Sequence, residues 1–242
     1  MAYRMLASST SPAATNPRTA LRPAIFSRRP PGTPGRFGLL LLVLIGTYLL
    51  SAFTTGPFVE ALQGVLFTAA ALLALRNSPV PRRAVRLILV AAVAGAAIMV
   101  TLSLATQTGR AVADIWAGLL LLFVVAVIVY RVLAFGTVTL QSIYGALSAY
   151  LVIGLMFAAF FAAMDHLGGG HFFVPGEAAN TQTFQYFSFT TLTTLGYGDF
   201  TAAGSAGRAV AVLEALTGQI FLATLVARLV ATFRAPGKSG DD

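Results

Sequence analysis

The sequence predicts an all-α membrane protein: six transmembrane helices, with a re-entrant half-helix in the connection between the fifth and the sixth. Three observations lead there. Of the 242 residues, 57% are hydrophobic and 10% charged, whereas a soluble globular domain carries about 25% charged residues. The apolar residues gather into six long stretches joined by connections rich in Gly and Pro. Only the connection over 165–205 is long, and a connection of that length inside a compact membrane domain is usually functional.

Residues 1–36 hold Arg4, Arg18, Arg22, Arg28, Arg29 and Arg36, no acid, and many Ser, Thr and Pro. Such a segment buries too little apolar surface to fold and is expected to be a disordered basic cytoplasmic tail. The six stretches run near Phe37–Thr54, Phe58–Leu75, Ala84–Thr106, Ala111–Phe135, Ser142–Met164 and Ala206–Phe233. Each approaches the roughly 20 residues a helix needs to cross a bilayer core. Thr55-Gly56-Pro57 and Asn77-Ser78-Pro79-Val80-Pro81 punctuate the first connections. The domains expected are 37–137, a four-helix membrane region, and 138–233, which holds the long connection. Residues 234–242 are expected to be a short cytoplasmic tail, too small for a ligand-binding domain.

Charge sets the orientation. With the amino terminus in the cytoplasm, the inner segments hold Arg76, Arg82, Arg83, Arg86, Arg131, Arg228, Arg234 and Lys238 besides the six tail arginines, 14 of 16 basic residues. Only Arg110 and Arg208 fall outside. The basic excess is therefore topological, and no nucleic-acid partner is expected. A secretory signal formed from Arg28-Arg29 and the first apolar run would leave the same orientation for the rest. A retained helix is the preferred reading, because Thr47 to Phe53 offers no good small-x-small cleavage site. The chain has no Cys, which excludes disulfides, thiolate metal sites and cysteine nucleophiles. Walker, nucleophile-elbow and His-Glu zinc motifs are absent too, so no enzyme and no cofactor are expected.

Within the long connection, residues from Asn180 to Leu192 are apolar and aromatic for about three turns. Asn180 or Thr181 can cap that helix. It is too short to span the bilayer, and its carboxyl end would carry a partial negative charge into the membrane, a field that stabilises a cation. Thr194-Leu195-Gly196-Tyr197-Gly198 follows. Replacing the water around a cation takes several oxygens, which backbone carbonyls supply if successive residues turn them to one side. An ordinary strand alternates, so some positions need dihedrals that only glycine accepts cheaply; Gly196 and Gly198 sit there. Thr194 adds a hydroxyl oxygen. One such strand cannot surround an ion and the chain has one, so four copies are required and a homotetramer is expected.

Thr193-Thr194-Leu195-Gly196-Tyr197-Gly198-Asp199 resembles the selectivity filter of potassium channels, with Leu195 where the family usually has Val. The resemblance covers about residues 142–233. It implies a pore helix before the filter and potassium held by the carbonyls of Thr194, Leu195, Gly196 and Tyr197 with the Thr194 hydroxyl. Tyr197 would pack outward on the pore helix, and Tyr186 and Asp199 would be joined behind the filter, beside Thr193. Thr190 stands where some members carry a carboxylate. Gly207-Arg208-Ala209-Val210-Ala211-Val212 opens the last span, and Gly218 falls at the family's hinge glycine. That glycine serves as a hinge or as room for close helix packing. By resemblance Gln219, Leu222 and Val226, in line with Val230, line the cavity; ordinary subunit packing is the alternative.

The function implied is passive potassium conduction by a homotetramer embedded in membrane lipid. A potassium-uptake transporter is the rival, but those proteins carry four degenerate loops in one chain. The fourth span holds Asp114 near its outer end and Arg131 near its inner end, not the regular arginines of a voltage sensor, so weak voltage dependence is expected. Glu214 inside the last span is either a support behind the filter or a protonated or hydrogen-bonded acid between helices. His166 and His171, near Asp165 and Glu177, are expected to be solvated histidines of the outer mouth rather than a proton or metal sensor. One Lys beside fifteen Arg points to a GC-rich coding sequence, and so to a bacterial plasma membrane.

Overall fold

In a computed structural model, the residues described are 37–54, 57–76, 90, 93–95, 97, 101, 106–134, 139–168, 171–174 and 179–233. The tails 1–36 and 234–242, and most of the third apolar stretch, lie outside them. All described residues fall in one compact unit, Gly35–Asp242.

The architecture is helical. In chain order the helices are α1 (Phe37–Phe53), α2 (Pro57–Arg76), α3 (Gln107–Ala134), α4 (Leu140–Leu167), α5 (Thr181–Leu192) and α6 (Ser205–Phe233). Residues 90, 93–95, 97 and 101, within the third stretch, are helical as well. Among the described residues, three helices are long and apolar enough to cross a membrane, over Thr108–Leu133, Leu140–Leu167 and Ser205–Ala231, and Phe37–Phe53 is a shorter apolar helix.

α4 is the centre of the bundle. Its start is set by Thr139, whose side chain accepts from the Ser142 backbone while Ser142 returns a bond to the Thr139 N–H. This is a capping box with serine in place of the usual Glu or Gln. α4 packs along α3, against α1, α5 and α6, while α2 bridges α1 and α3. The core follows from that arrangement: Phe37, Leu40 and Leu44 of α1, Leu121, Val124 and Ile128 of α3, and Val152, Leu155 and Phe161 of α4 are all buried.

α6 differs. Of its membrane-crossing window 11% is buried, against 67% for α4. Val212, Leu213, Leu216, Ile220, Val226 and Val230 are exposed. Its inner face is a narrow strip containing Glu214 and Gly218, turned toward α4 and α5.

Candidate functional site

The 12-residue helix α5 is about 18 Å long at ~1.5 Å per residue, well short of a bilayer core. Asn180 caps it, accepting from the Thr183 N–H at 2.9 Å. Its apolar side is held by aromatic packing: Phe184 stacks on Phe173 at 5.2 Å, and Phe187 meets Phe161 edge-on at 5.0 Å. Contacts of this kind are worth ~0.5–1.5 kcal/mol each beyond buried area. The two arms of the long connection pair with each other. Phe173 bridges Ala202, Val174 N–H donates to Thr201 O at 3.1 Å and Ala203 N–H to Phe172 O at 2.9 Å. Asp165 receives the Phe172 N–H at 2.8 Å, and Arg208 Nε donates to Ala202 O at 2.9 Å. The chain before α5 and the chain after its following segment are thus joined to each other.

α1 also reaches α5. Ser51 is hydrogen-bonded to Gln185, Gln182 Nε2 donates to Ala52 O at 2.6 Å, and Tyr48 meets Phe189 edge-on at 5.0 Å. The sequence shows no sign of this contact, since the apolar run of α1 has no side that singles out a partner.

A helix leaves its last four carbonyls without intrahelical donors. Here every one is satisfied by protein. Phe189 O accepts the Thr193 N–H at 3.1 Å, Thr190 O accepts Leu195 N–H at 2.8 Å and Gly196 N–H at 3.1 Å, and Thr191 O accepts Thr194 N–H at 2.9 Å. Leu192 O takes the Tyr150 hydroxyl at 3.2 Å. The segment after α5 is therefore turned so that its N–H groups face back to the helix end. Among the described residues, none donates to the carbonyls of Thr194, Leu195, Gly196 or Tyr197.

That turn needs unusual dihedrals at alternate residues. φ is +59° at Thr194, +52° at Gly196 and +82° at Gly198. The glycines accept this region freely. Thr194 does not: a β-branched residue there is a true outlier, with a cost of order 1–3 kcal/mol. Its hydroxyl donates to Thr193 O at 2.7 Å, leaving the lone pairs of its oxygen for another partner. The left-handed position at Thr194 was missed in the sequence, because only glycines advertise it. All seven residues Thr193–Asp199 are exposed.

Behind this segment, the Tyr186 hydroxyl donates to Asp199 Oδ2 at 2.8 Å. The Tyr186 and Tyr197 rings lie nearly parallel, 6.4 Å apart. The bond to Asp199, with lesser help from desolvation and nearby charge, pushes the Tyr186 phenol up to about 12. It is a neutral donor throughout the physiological range. Thr190, beside them, donates its hydroxyl within its own helix to Phe187 O at 3.0 Å, and Thr193 likewise to Phe189 O at 2.7 Å.

α6 closes the back of α5. At Gly218 a Cβ would stand 2.4 Å from Leu192 O, so glycine lets the two backbones approach. One turn earlier, fully buried Glu214 is hydrogen-bonded through Oε1 to Ser188, whose hydroxyl lies 2.7 Å from Gly154 O of α4. Gly154 is itself a close approach, with the Phe189 ring where a side chain would be. Gln219, Leu222, Val226 and Val230 point away from this contact and are exposed. At the carboxyl end of α4, His166 Nδ1 and Asp114 Oδ2 are 2.8 Å apart, tying α4 to α3. His171 is exposed, and among the described residues no group of three His, Cys, Asp or Glu could hold a metal.

Residues 150–235, spanning α5, the segment after it and α6, match a protein-family model described as "Ion channel". That part of the chain is similar to ion channels. The match fits the helices here that are long and apolar enough to cross a membrane. Neither a curated protein nor a solved structure gives a significant match to the chain.

Proposed function

We propose that four copies of this channel subunit form a potassium-selective pore, with α5 as the pore helix and Thr194–Gly198 as the filter. One observation carries the reading: the N–H groups of Thr194, Leu195 and Gly196 are committed to the end of α5, while φ is positive at Thr194, Gly196 and Gly198. This alternation frees a row of carbonyls, from Thr194 to Tyr197, to replace the hydration shell of a cation. The Thr194 hydroxyl, its proton occupied by Thr193 O, adds an oxygen below them.

The tetramer follows from what one chain leaves uncovered. Exposed irregular backbone does not occur in contact with lipid and is tolerated where protein buries it or a cavity is lined. Three further copies supply both conditions, and their α6 helices cover part of the apolar surface left bare here, with lipid on the rest. In that assembly Gln219, Leu222 and Val226 face the cavity. Gly218 seats Leu192 and can still flex, so a hinge role is compatible with its packing. The positive-inside pattern supports a cytoplasmic position for both tails, and the preference for Arg over Lys supports a bacterial plasma membrane. α3 carries Arg110, Asp114 and Arg131 rather than a ladder of arginines, and conduction is expected to depend weakly on voltage.

Purified protein in liposomes tests the reading. Potassium flux without equal sodium flux is expected, and Gly196→Asp should abolish it. Equal sodium flux, or potassium flux that survives Gly196→Asp, would refute selective conduction through this filter.

A further inference from the structure

Glu214 is buried where three helices meet, and the hydrogen atoms there can be counted. The Ser188 hydroxyl of α5 has two oxygen neighbours: Gly154 O of α4 at 2.7 Å and Glu214 Oε1 of α6. A serine hydroxyl has one proton to give and a carbonyl has none. If Ser188 donates to Glu214, two oxygens at 2.7 Å face each other with no proton between them. If it donates to Gly154 O, the contact with Glu214 needs a proton from the carboxyl. The second arrangement satisfies both contacts.

We propose that Glu214 holds its proton and donates it from Oε1 to Ser188, which donates in turn to Gly154 O. Glu214 is then a positioning residue for the pore helix. Two independent observations agree. Glu214 is 0% exposed, and among the described residues no cation pairs with it. Its Oε2 has no hydrogen-bond partner, a condition that a neutral acid tolerates far better than a buried carboxylate. On α4 the titratable group that meets α5 is Tyr150, whose hydroxyl is engaged with Leu192 O. On α5 the facing group is Ser188, and on α6 the next turn is Gly218.

The register gives the brace its purpose. Glu214 meets Ser188, and four residues later Gly218 meets Leu192. Between those two anchors lies Thr190, whose carbonyl receives the N–H groups of Leu195 and Gly196. α6 therefore grips the stretch of α5 that orients the segment after it. That consequence rests on the proposed filter, whereas the proton on Glu214 does not.

Infrared difference spectroscopy of the purified protein at neutral pH decides the proton. A protonated-carboxyl band present in the wild type and lost in Glu214→Gln is expected; an unchanged spectrum in that region would overturn the assignment. Liposome flux decides the role. Glu214→Gln, whose amide can make the same donation, should keep the potassium-to-sodium ratio within about twofold. Glu214→Leu and Ser188→Ala should lower it roughly tenfold, the worth of one buried hydrogen bond. A Gln variant as impaired as Leu would overturn the donor role, and a Leu variant with wild-type selectivity would overturn the positioning role. Wild-type protein that conducts no potassium would instead defeat the pore reading, with the infrared result still deciding the proton.

Discussion

The carbonyl oxygen of Leu192, the last residue of α5, rests against the backbone of Gly218 in α6, where any side chain would begin 2.4 Å away. A backbone oxygen cannot yield as a flexible side chain would. Gly218→Ala should therefore push α6 from α5 and destabilise the protein by about 1–3 kcal/mol, seen as a lower melting temperature in detergent. An unchanged melting temperature with altered open probability would make this glycine a hinge and nothing more.

Gly198 presents the opposite case. No atom lies within 4 Å of where its Cβ would be, but φ is +82°. Gly198→Ala meets no neighbour within the chain and pays only for the left-handed backbone, about 1–2 kcal/mol. We expect the selectivity ratio to fall while the melting temperature stays within a few degrees of wild type. A large loss of thermal stability would contradict this.

Tyr186 donates to Asp199 across the back of the segment at 2.8 Å. Its phenol is raised from the ordinary 10.0 to about 12. A raised folded-state value means that the contribution is complete below pH 10 and fades as pH climbs toward 12. Wild-type conduction should show no step from this group between pH 7 and 9. Tyr186→Phe should change conductance at pH 7, recorded in planar bilayers; a Phe variant identical to wild type would remove the bond from the account.

The contact of α1 with α5 gives those N-terminal residues a physical task. Ser51 and Gln185 are both buried and bonded to each other. A double-mutant cycle with Ser51→Ala and Gln185→Leu should return a coupling of roughly 0.6 kcal/mol, the average for hydrogen bonds between membrane helices. Thermal unfolding of the four proteins measures it, and strict additivity would contradict the contact.

Much of this was legible in the sequence because bilayer thickness imposes length. The apolar run beginning at Phe37 ends at Phe53 as a helix, and the run placed at Ala206–Phe233 is helical over Ser205–Phe233. The short helix after Asn180 and the glycine alternation after it were readable for the same kind of reason, since few residue types can do those jobs. What stayed hidden depends on tertiary neighbours. Ser142 completes a cap that normally advertises itself with Glu or Gln. The pairing of Phe173 with Ala202 joins residues on either side of α5, and no local pattern marks it. Thr194 has a left-handed backbone that its β-branched side chain argues against. The partner of Glu214 was likewise invisible, because Ser188 is one of several hydroxyls along α5.

The central claim is that the carbonyls of Thr194 to Tyr197, from four chains, pass potassium and reject sodium. The reversal potential of the purified channel in a planar bilayer, with potassium on one side and sodium on the other, tests it most directly. A potential displaced far toward the potassium equilibrium value is the predicted result. A reversal potential near zero would contradict the account.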